Sequence, residues 1–223
     1  PYVACQQCPA CKSGRTNCCE KISVIGVHQD GGFSEYLSVP VANILPADGI
    51  DPQAAALIEP FAISAHAVRR AAIAPGEQVL VVGAGPIRLE LPVLDPSAED
   101  FDAQLRAQFG GSLAQKVIDA TGNQHAMNNT VNLIRHGGTV VFVGLFKGEL
   151  QFSDPEFHKK ETTMMGSRNA TPEDFAKVGR LMAEGKITAD MMLTHRYPFA
   201  TLAETYERDV INNRELIKGV ITF

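Results

Sequence analysis

Residues 78 to 87 read Gln78-Val79-Leu80-Val81-Val82-Gly83-Ala84-Gly85-Pro86-Ile87. Four aliphatic residues in a row, set off by the Pro75-Gly76-Glu77 turn, predict a short strand of the kind a sheet buries on both faces. The strand runs directly into Gly83-Ala84-Gly85, the opening of a dinucleotide-binding turn. The first glycine of such a turn permits the sharp bend, and the second lets backbone amides approach a pyrophosphate. The helix that follows presents unpaired N–H groups to the phosphates. Backbone at Gly83, Gly85, Pro86 and Ile87 is therefore the expected pyrophosphate contact. The pattern then breaks. Arg88 stands where a third glycine is expected, a strand-like run from Leu91 to Leu94 starts three residues later, and Pro92 forbids a helix across the gap. A parallel crossover needs about 10–12 residues or more. The expectation is that a block carrying the phosphate-facing helix, the second strand and its acidic residue is absent at the Ile87/Arg88 junction.

Downstream, strands alternate with helices. Helices are predicted over Asp100–Phe109, Gln124–Ile134, Thr171–Glu184 and Leu202–Val210, and strands over Lys116–Ala120, Thr139–Val143, Thr162–Met165 and Gly219–Phe223. Thr171-Pro172-Glu173-Asp174 is a helix start with a hydroxyl cap, proline in the first turn and acid beside it. Upstream, Ser34–Val39 reads as a strand after Gly31-Gly32, and Pro52–Ala72 as a helical stretch broken near Glu59-Pro60. This alternation is the mark of an α/β fold with a doubly wound parallel sheet.

All five cysteines fall between Cys5 and Cys19, and none follows. Disulfides would be spread through a fold, and bridges between such near neighbours would be strained. Four thiolates at Cys5, Cys8, Cys11 and Cys19, with Gly14 in the loop, can instead converge on one tetrahedral zinc at about 2.3 Å. A site closed by four thiolates has no open position, so this metal braces a loop. Cys18 is the spare. A compartment that keeps thiols reduced, the cytoplasm, suits the cluster. The chain opens at Pro1 on what reads as a strand end, and a preceding segment is expected.

Composition sets the outer bounds. The 223 residues are 45% hydrophobic and 20% charged, with a net charge of −5. That is enough apolar content to offset chain entropy, which excludes a disordered chain. The apolar runs are strand-sized, far short of the ~20 residues of a membrane-spanning helix. A mildly acidic chain is not expected to bind a nucleic-acid backbone.

Taken in order, Cys5-x2-Cys8-x2-Cys11-x2-Gly14-x4-Cys19, Gly31-Gly32-Phe33-Ser34-Glu35-Tyr36, Glu59-Pro60 and Gly83-Ala84-Gly85-Pro86-Ile87 resemble the zinc-dependent medium-chain alcohol dehydrogenases. The sorbitol dehydrogenase-like branch, with Glu-Pro in place of a cysteine ligand, is the nearer likeness. Asp119-Ala120-Thr121-Gly122, Gly138–Gly144 and Gly166-Ser167-Arg168-Asn169 resemble the family's later cofactor-side segments. The resemblance implies a Rossmann domain plus part of a GroES-like β-rich catalytic domain. The expected divisions are 1–68 for the catalytic domain with its zinc lobe at 5–19, 69–195 for the Rossmann domain, and 196–223 for a return to the catalytic domain.

It also implies hydride transfer from a secondary alcohol of a sugar acid or polyol to NAD, with NADP left open, and zinc in both structural and catalytic roles. The catalytic zinc would polarise the substrate hydroxyl. Glu59 is its expected ligand here, and the other ligands of the family pattern lie outside this sequence. Thr121, Gly122, Val143, Gly144, Leu145, Arg168 and Asn169 are expected on the cofactor side. Lys147 is a candidate for a substrate carboxylate. His66, His136 and His195 read as structural, and His158-Lys159-Lys160 as a solvated run. A homo-oligomer is implied, with strands Thr139–Val143 and Thr162–Met165 near its seam. Two rivals stand beside this reading. One is a zinc-free, quinone-reductase-like relative, and the other a nucleotide-binding relative without chemistry.

Overall fold

A computed structural model describes residues 1–83 and 91–223. In chain order the elements are β1 (Tyr2–Val3), α1 (Pro9–Lys12), β2 (Ser23–Val24), α2 (Pro52–Ala55), α3 (Ile58–Ala71), β3 (Val79–Val82), α4 (Phe101–Gln108), β4 (Ala114–Asp119), α5 (Gln124–Leu133), β5 (Ile134–Phe142), α6 (Asp154–Lys159), β6 (Thr163–Gly166), α7 (Pro172–Ala183), β7 (His195–Pro198), α8 (Phe199–Tyr206) and β8 (Gly219–Thr222). They gather into two units, one of residues 1–65 and 169–223 and the other of residues 66–168.

The second unit is built on a parallel sheet in the order β3-β4-β5-β6. Alternation along the strands gives each face its own core. Val117 and Val140 face one way and pack with Leu105 of α4 and Met127 of α5. Ile118 and Val141 face the other way and pack with Ala67 and Ala71 of α3. Helices on both faces are the doubly wound arrangement that the strand–helix alternation predicts. The first unit holds two small pairs, β1 with β2 antiparallel and β7 with β8 parallel. Helix α7 opens with the expected Thr171 cap: the Thr171 backbone N–H and hydroxyl both donate to Asp174 Oδ2, at 2.9 and 2.8 Å.

Several expectations are corrected. Ser34–Val39 forms no strand, because no described segment pairs with it and an unpaired strand gains no ladder. The break in the first long helix falls at Ala56-Leu57, not at Glu59-Pro60. Pro60 sits in the first turn of α3, where a missing N–H costs nothing. Leu91–Leu94 is irregular, with Leu91 and Val93 exposed. β3 ends the described sheet and packs on both faces, Leu80 and Val82 on one and Val79 on the other, but only in part, since Val81 is 53% exposed. Strand β7 has no sequence expectation. The helix expected at Leu202–Val210 starts earlier, at Phe199, and ends at Tyr206, with a wider turn over Glu207–Ile211.

The reading of His158-Lys159-Lys160 as a solvated run holds for His158 and Lys159, which are exposed. It fails for Lys160, which is buried and donates through Nζ to the carbonyls of Val131 at 2.8 Å and Ile134 at 3.0 Å. These are orphan acceptors at the C-terminal end of α5, and a cation there opposes the negative end of the helix dipole. Burial lowers the pKa of the Lys160 ammonium.

Candidate functional site

In the first unit the turns from Cys5 to Cys19 close on themselves. Gln6 and Gly14 take left-handed backbone, φ +59° and +79°, and reverse the chain between the cysteines. Cys8 caps α1, its Sγ accepting the Cys11 N–H at 3.5 Å, and the Cys5 N–H donates to Cys19 Sγ at 3.2 Å. The sulfurs of Cys5, Cys8, Cys11 and Cys19 lie within 4.8 Å of one another. All five cysteines are free thiols. Thiolates bound at ~2.3 Å to a tetrahedral ion stand about 3.8 Å apart, so the quartet fits a zinc with little movement. The backbone amides of Gln7 and Cys8 lower the Cys5 thiol to about 6, while burial, with Cys8 and Cys19 beside it, pushes Cys11 up to about 12. Four sulfurs at this spacing do not all ionise without a cation among them. Cys18 is half-buried beside the cluster and is not one of the four.

Glu59 lies half-buried in the first turn of α3 and accepts a hydrogen bond from the Tyr2 hydroxyl, a partner 57 residues away. Among the described residues the cysteine quartet is the one cluster able to hold a metal, and Glu59 belongs to no such group. Burial, followed by the bond to Glu59, raises the Tyr2 phenol above its ordinary value. A phenol raised on folding contributes stability that is complete below the unfolded value near ~10 and fades as pH rises beyond it. Tyr2→Phe is therefore expected to cost about 1–2 kcal/mol, unchanged between about pH 6 and 9 and shrinking above about pH 10. Denaturant unfolding of both proteins across that range measures it. A cost that grows in alkali contradicts this arrangement.

In the second unit, the carboxyl ends of β3, β4 and β5 meet at the place where open α/β sheets bind ligands. Gly83 has φ +107°, and a Cβ there would stand 3.1 Å from Thr121 Cγ2. Gly122 has φ +58°, and a Cβ there would come within 2.9 Å of the Leu145 carbonyl oxygen. A Cβ on Gly144 would lie 2.1 Å from the Gly122 nitrogen. The structure thus brings together Gly83, Thr121, Gly122, Val143, Gly144 and Leu145. The Leu145 side chain is 88% exposed at the rim. Ends of parallel strands gathered in this way are where open α/β folds take a dinucleotide.

Gly85, Pro86 and Ile87, and the Ile87/Arg88 junction, lie outside the described residues. Arg168 and Lys147 are exposed. Asn169 takes φ +52°, and its amide donates to the Asn17 carbonyl at 3.3 Å, which ties it to the cysteine lobe. His66 is buried, its Nδ1 3.1 Å from Arg69 Nη2. His195 is held by Thr194 and Asn213 and stacks on Tyr197, while His136 is exposed.

Tyr2 escapes sequence reading, and Asp119 enters it only within the Asp119-Ala120-Thr121-Gly122 segment, without a role of its own. Tyr2 carries no local signal, because its partner is remote in the chain. Asp119, buried at the end of β4, has a local one: an Asp two residues before Thr is an Asx-turn pattern.

Comparison with known proteins agrees with this geometry. Residues 1–49 match the alcohol dehydrogenase GroES-like domain, and residues 90–184 match the zinc-binding dehydrogenase family. The chain is 88% identical to the L-galactonate-5-dehydrogenase of Escherichia coli strain K12, over 100% of this chain and 74% of that protein. It is 28% identical to a sorbitol dehydrogenase of Halalkalibacterium halodurans, over 99% of this chain and 74% of that protein. A short chain alcohol dehydrogenase of E. coli CFT073, solved with the cofactor NADH, superposes with a TM-score of 0.86 at 25% identity, covering 100% of this chain and 75% of that one. The match to the L-galactonate enzyme runs over 253 positions against the 223 residues here, a difference of 30.

Proposed function

This chain belongs to the zinc-binding alcohol dehydrogenases, and on that premise we propose that it is an oxidoreductase moving hydride from the C5 alcohol of L-galactonate to NAD, with D-tagaturonate as product. The observation that carries the proposal is the 88% identity to an L-galactonate-5-dehydrogenase along the entire chain. NAD, when bound, supplies the hydride acceptor. The role proposed for Gly83, Gly85, Pro86, Ile87, Thr121, Gly122, Val143, Gly144 and Leu145 is to hold the dinucleotide by main-chain groups, with Arg168 and Asn169 beside it. Cys5, Cys8, Cys11 and Cys19 hold a structural zinc. Glu59 is proposed as one ligand of the catalytic zinc. Such an ion takes three protein ligands, and the described residues do not complete the set.

A cytoplasmic homo-oligomer that binds no nucleic acid completes the reading. No described helix is long and apolar enough to cross a membrane. The test is a screen of hexonates and polyols with NAD and with NADP, before and after chelation, followed by the absorbance of the reduced nicotinamide. The expected result is chelator-sensitive turnover with L-galactonate and NAD ahead of every polyol. Metal-replete, folded protein that turns over a polyol but no hexonate removes the sugar-acid assignment.

A further inference from the structure

Asp119 is a carboxylate with 0% exposure at the last position of β4, opposite Val82 of β3 and Phe142 of β5. Its Oδ1 accepts from the Thr121 N–H at 3.0 Å and from the Thr121 hydroxyl at 2.9 Å. The Thr121 oxygen in turn accepts the Asn123 N–H at 3.1 Å, and the Asn123 side chain caps α5 through the Ala126 N–H at 3.1 Å. The Asp119 main-chain carbonyl accepts from the N–H groups of Val143 at 2.8 Å and Gly144 at 3.1 Å. One residue therefore fastens the turn after β4, the loop after β5 and, through two links, the N-terminal end of α5.

The arrangement carries a cost. Among the described residues, Oδ2 of Asp119 has no hydrogen-bond partner, and it is buried. Burial raises the pKa of this carboxyl, and donors from Thr121 and Gly122 oppose the rise. A side chain needed only to end a strand would not leave a buried oxygen unsatisfied, since an apolar residue would avoid that penalty. A buried polar atom that goes unsatisfied calls for a role beyond ending the strand.

We infer that Asp119 is a positioning residue for the nicotinamide dinucleotide, setting the Thr121–Gly122 turn and the Val143–Gly144 loop as one rigid floor under the cofactor. The inference rests on the dehydrogenase reading for the identity of the ligand, but not for the coupling of the two loops.

The experiment compares the intact chain with Asp119→Ala, Asp119→Asn and Thr121→Val by amide hydrogen exchange and by fluorescence titration with NADH. Asp119→Ala removes the side-chain acceptor but keeps the carbonyl, so exchange is expected to quicken by about tenfold or more at Thr121, Gly122 and Asn123, and by less at Val143 and Gly144 as the Asp119 backbone loosens with the turn, while Val140 and Val141 stay within about threefold. NADH binding is expected to weaken by about tenfold. Asp119→Asn keeps an acceptor at the Oδ1 position and is expected to restore the exchange pattern to within about threefold of the parent. Thr121→Val leaves Asp119 in place and is expected to free Asn123 and Ala126 selectively. It decides the question if Asp119→Ala does not fold, because uniform protection in Thr121→Val overturns the relay. Exchange that quickens evenly across the sheet in Asp119→Ala, or does not change at all, overturns the inference. Parent protein that does not bind NADH overturns the dehydrogenase reading instead, and the exchange pattern still decides whether Asp119 couples the two loops.

Discussion

Replacing Cys11 with serine is expected to empty the lobe between Cys5 and Cys19 of its metal, from about one zinc per chain to near zero, and to lower Tm by about 10 °C or more. Four sulfurs lie within 4.8 Å of one another, and α1, the element among them, is only four residues long. A four-residue helix has no stability of its own. The lobe's apolar content is slight: its buried cluster consists of Cys8, Cys11 and Cys19, with Ala4, Cys5, Ala10 and Ile22 around them. A zinc bound by the four thiolates would fold such a segment, because binding free energy becomes folding free energy where no preformed core exists. Serine keeps the volume but is a far poorer zinc ligand than a thiolate.

Cys18→Ser supplies the contrast. Cys18 lies one residue from Cys19 yet outside the quartet. Its substitution is expected to leave the zinc content unchanged and Tm within about 2 °C of the parent. Elemental analysis and thermal unfolding of both variants measure these effects. Full metal occupancy in Cys11→Ser, or its loss in Cys18→Ser, would contradict the assignment of the four ligands.

The second large effect is expected at Gly144, from one added methyl group. A Cβ there would meet the Gly122 nitrogen at 2.1 Å, the Gly122 Cα at 2.8 Å and the Thr121 nitrogen at 3.0 Å. All three are backbone atoms, so no rotamer change relieves the clash. The loops after β4 and β5 must separate, which breaks the bonds from Val143 and Gly144 to the Asp119 carbonyl. Gly144→Ala is expected to cost about 3 kcal/mol or more, a fall in Tm of roughly 6–12 °C. NADH binding should be lost in whatever fraction remains folded. Gly166 is the internal control. It also sits at a strand end, but a Cβ there would meet nothing within 4 Å. Gly166→Ala should change stability by no more than about 0.5 kcal/mol. Equal Tm values for the two variants would show that the loops are not in contact as described.

What the sequence determined by itself is what depends on near neighbours. The Cys5–Cys19 spacing is enough to bring four sulfurs together, because short turns allow few arrangements of ligands so close in the chain. The apolar run Val79–Val82, the Thr171 cap and the alternation of strands with helices name the sheet and its class, because periodicity and capping are written over three to seven residues. Tertiary structure alone decided everything set by partners far along the chain. It left β3 at the end of the described sheet with Val81 in solvent, and it denied Ser34–Val39 a strand. It drew Lys160 inward onto the end of α5 and placed Tyr2 against Glu59. It pressed Gly144 onto Gly122. A residue's own chemistry states which partners it would accept, but only the closed fold determines which of them arrives.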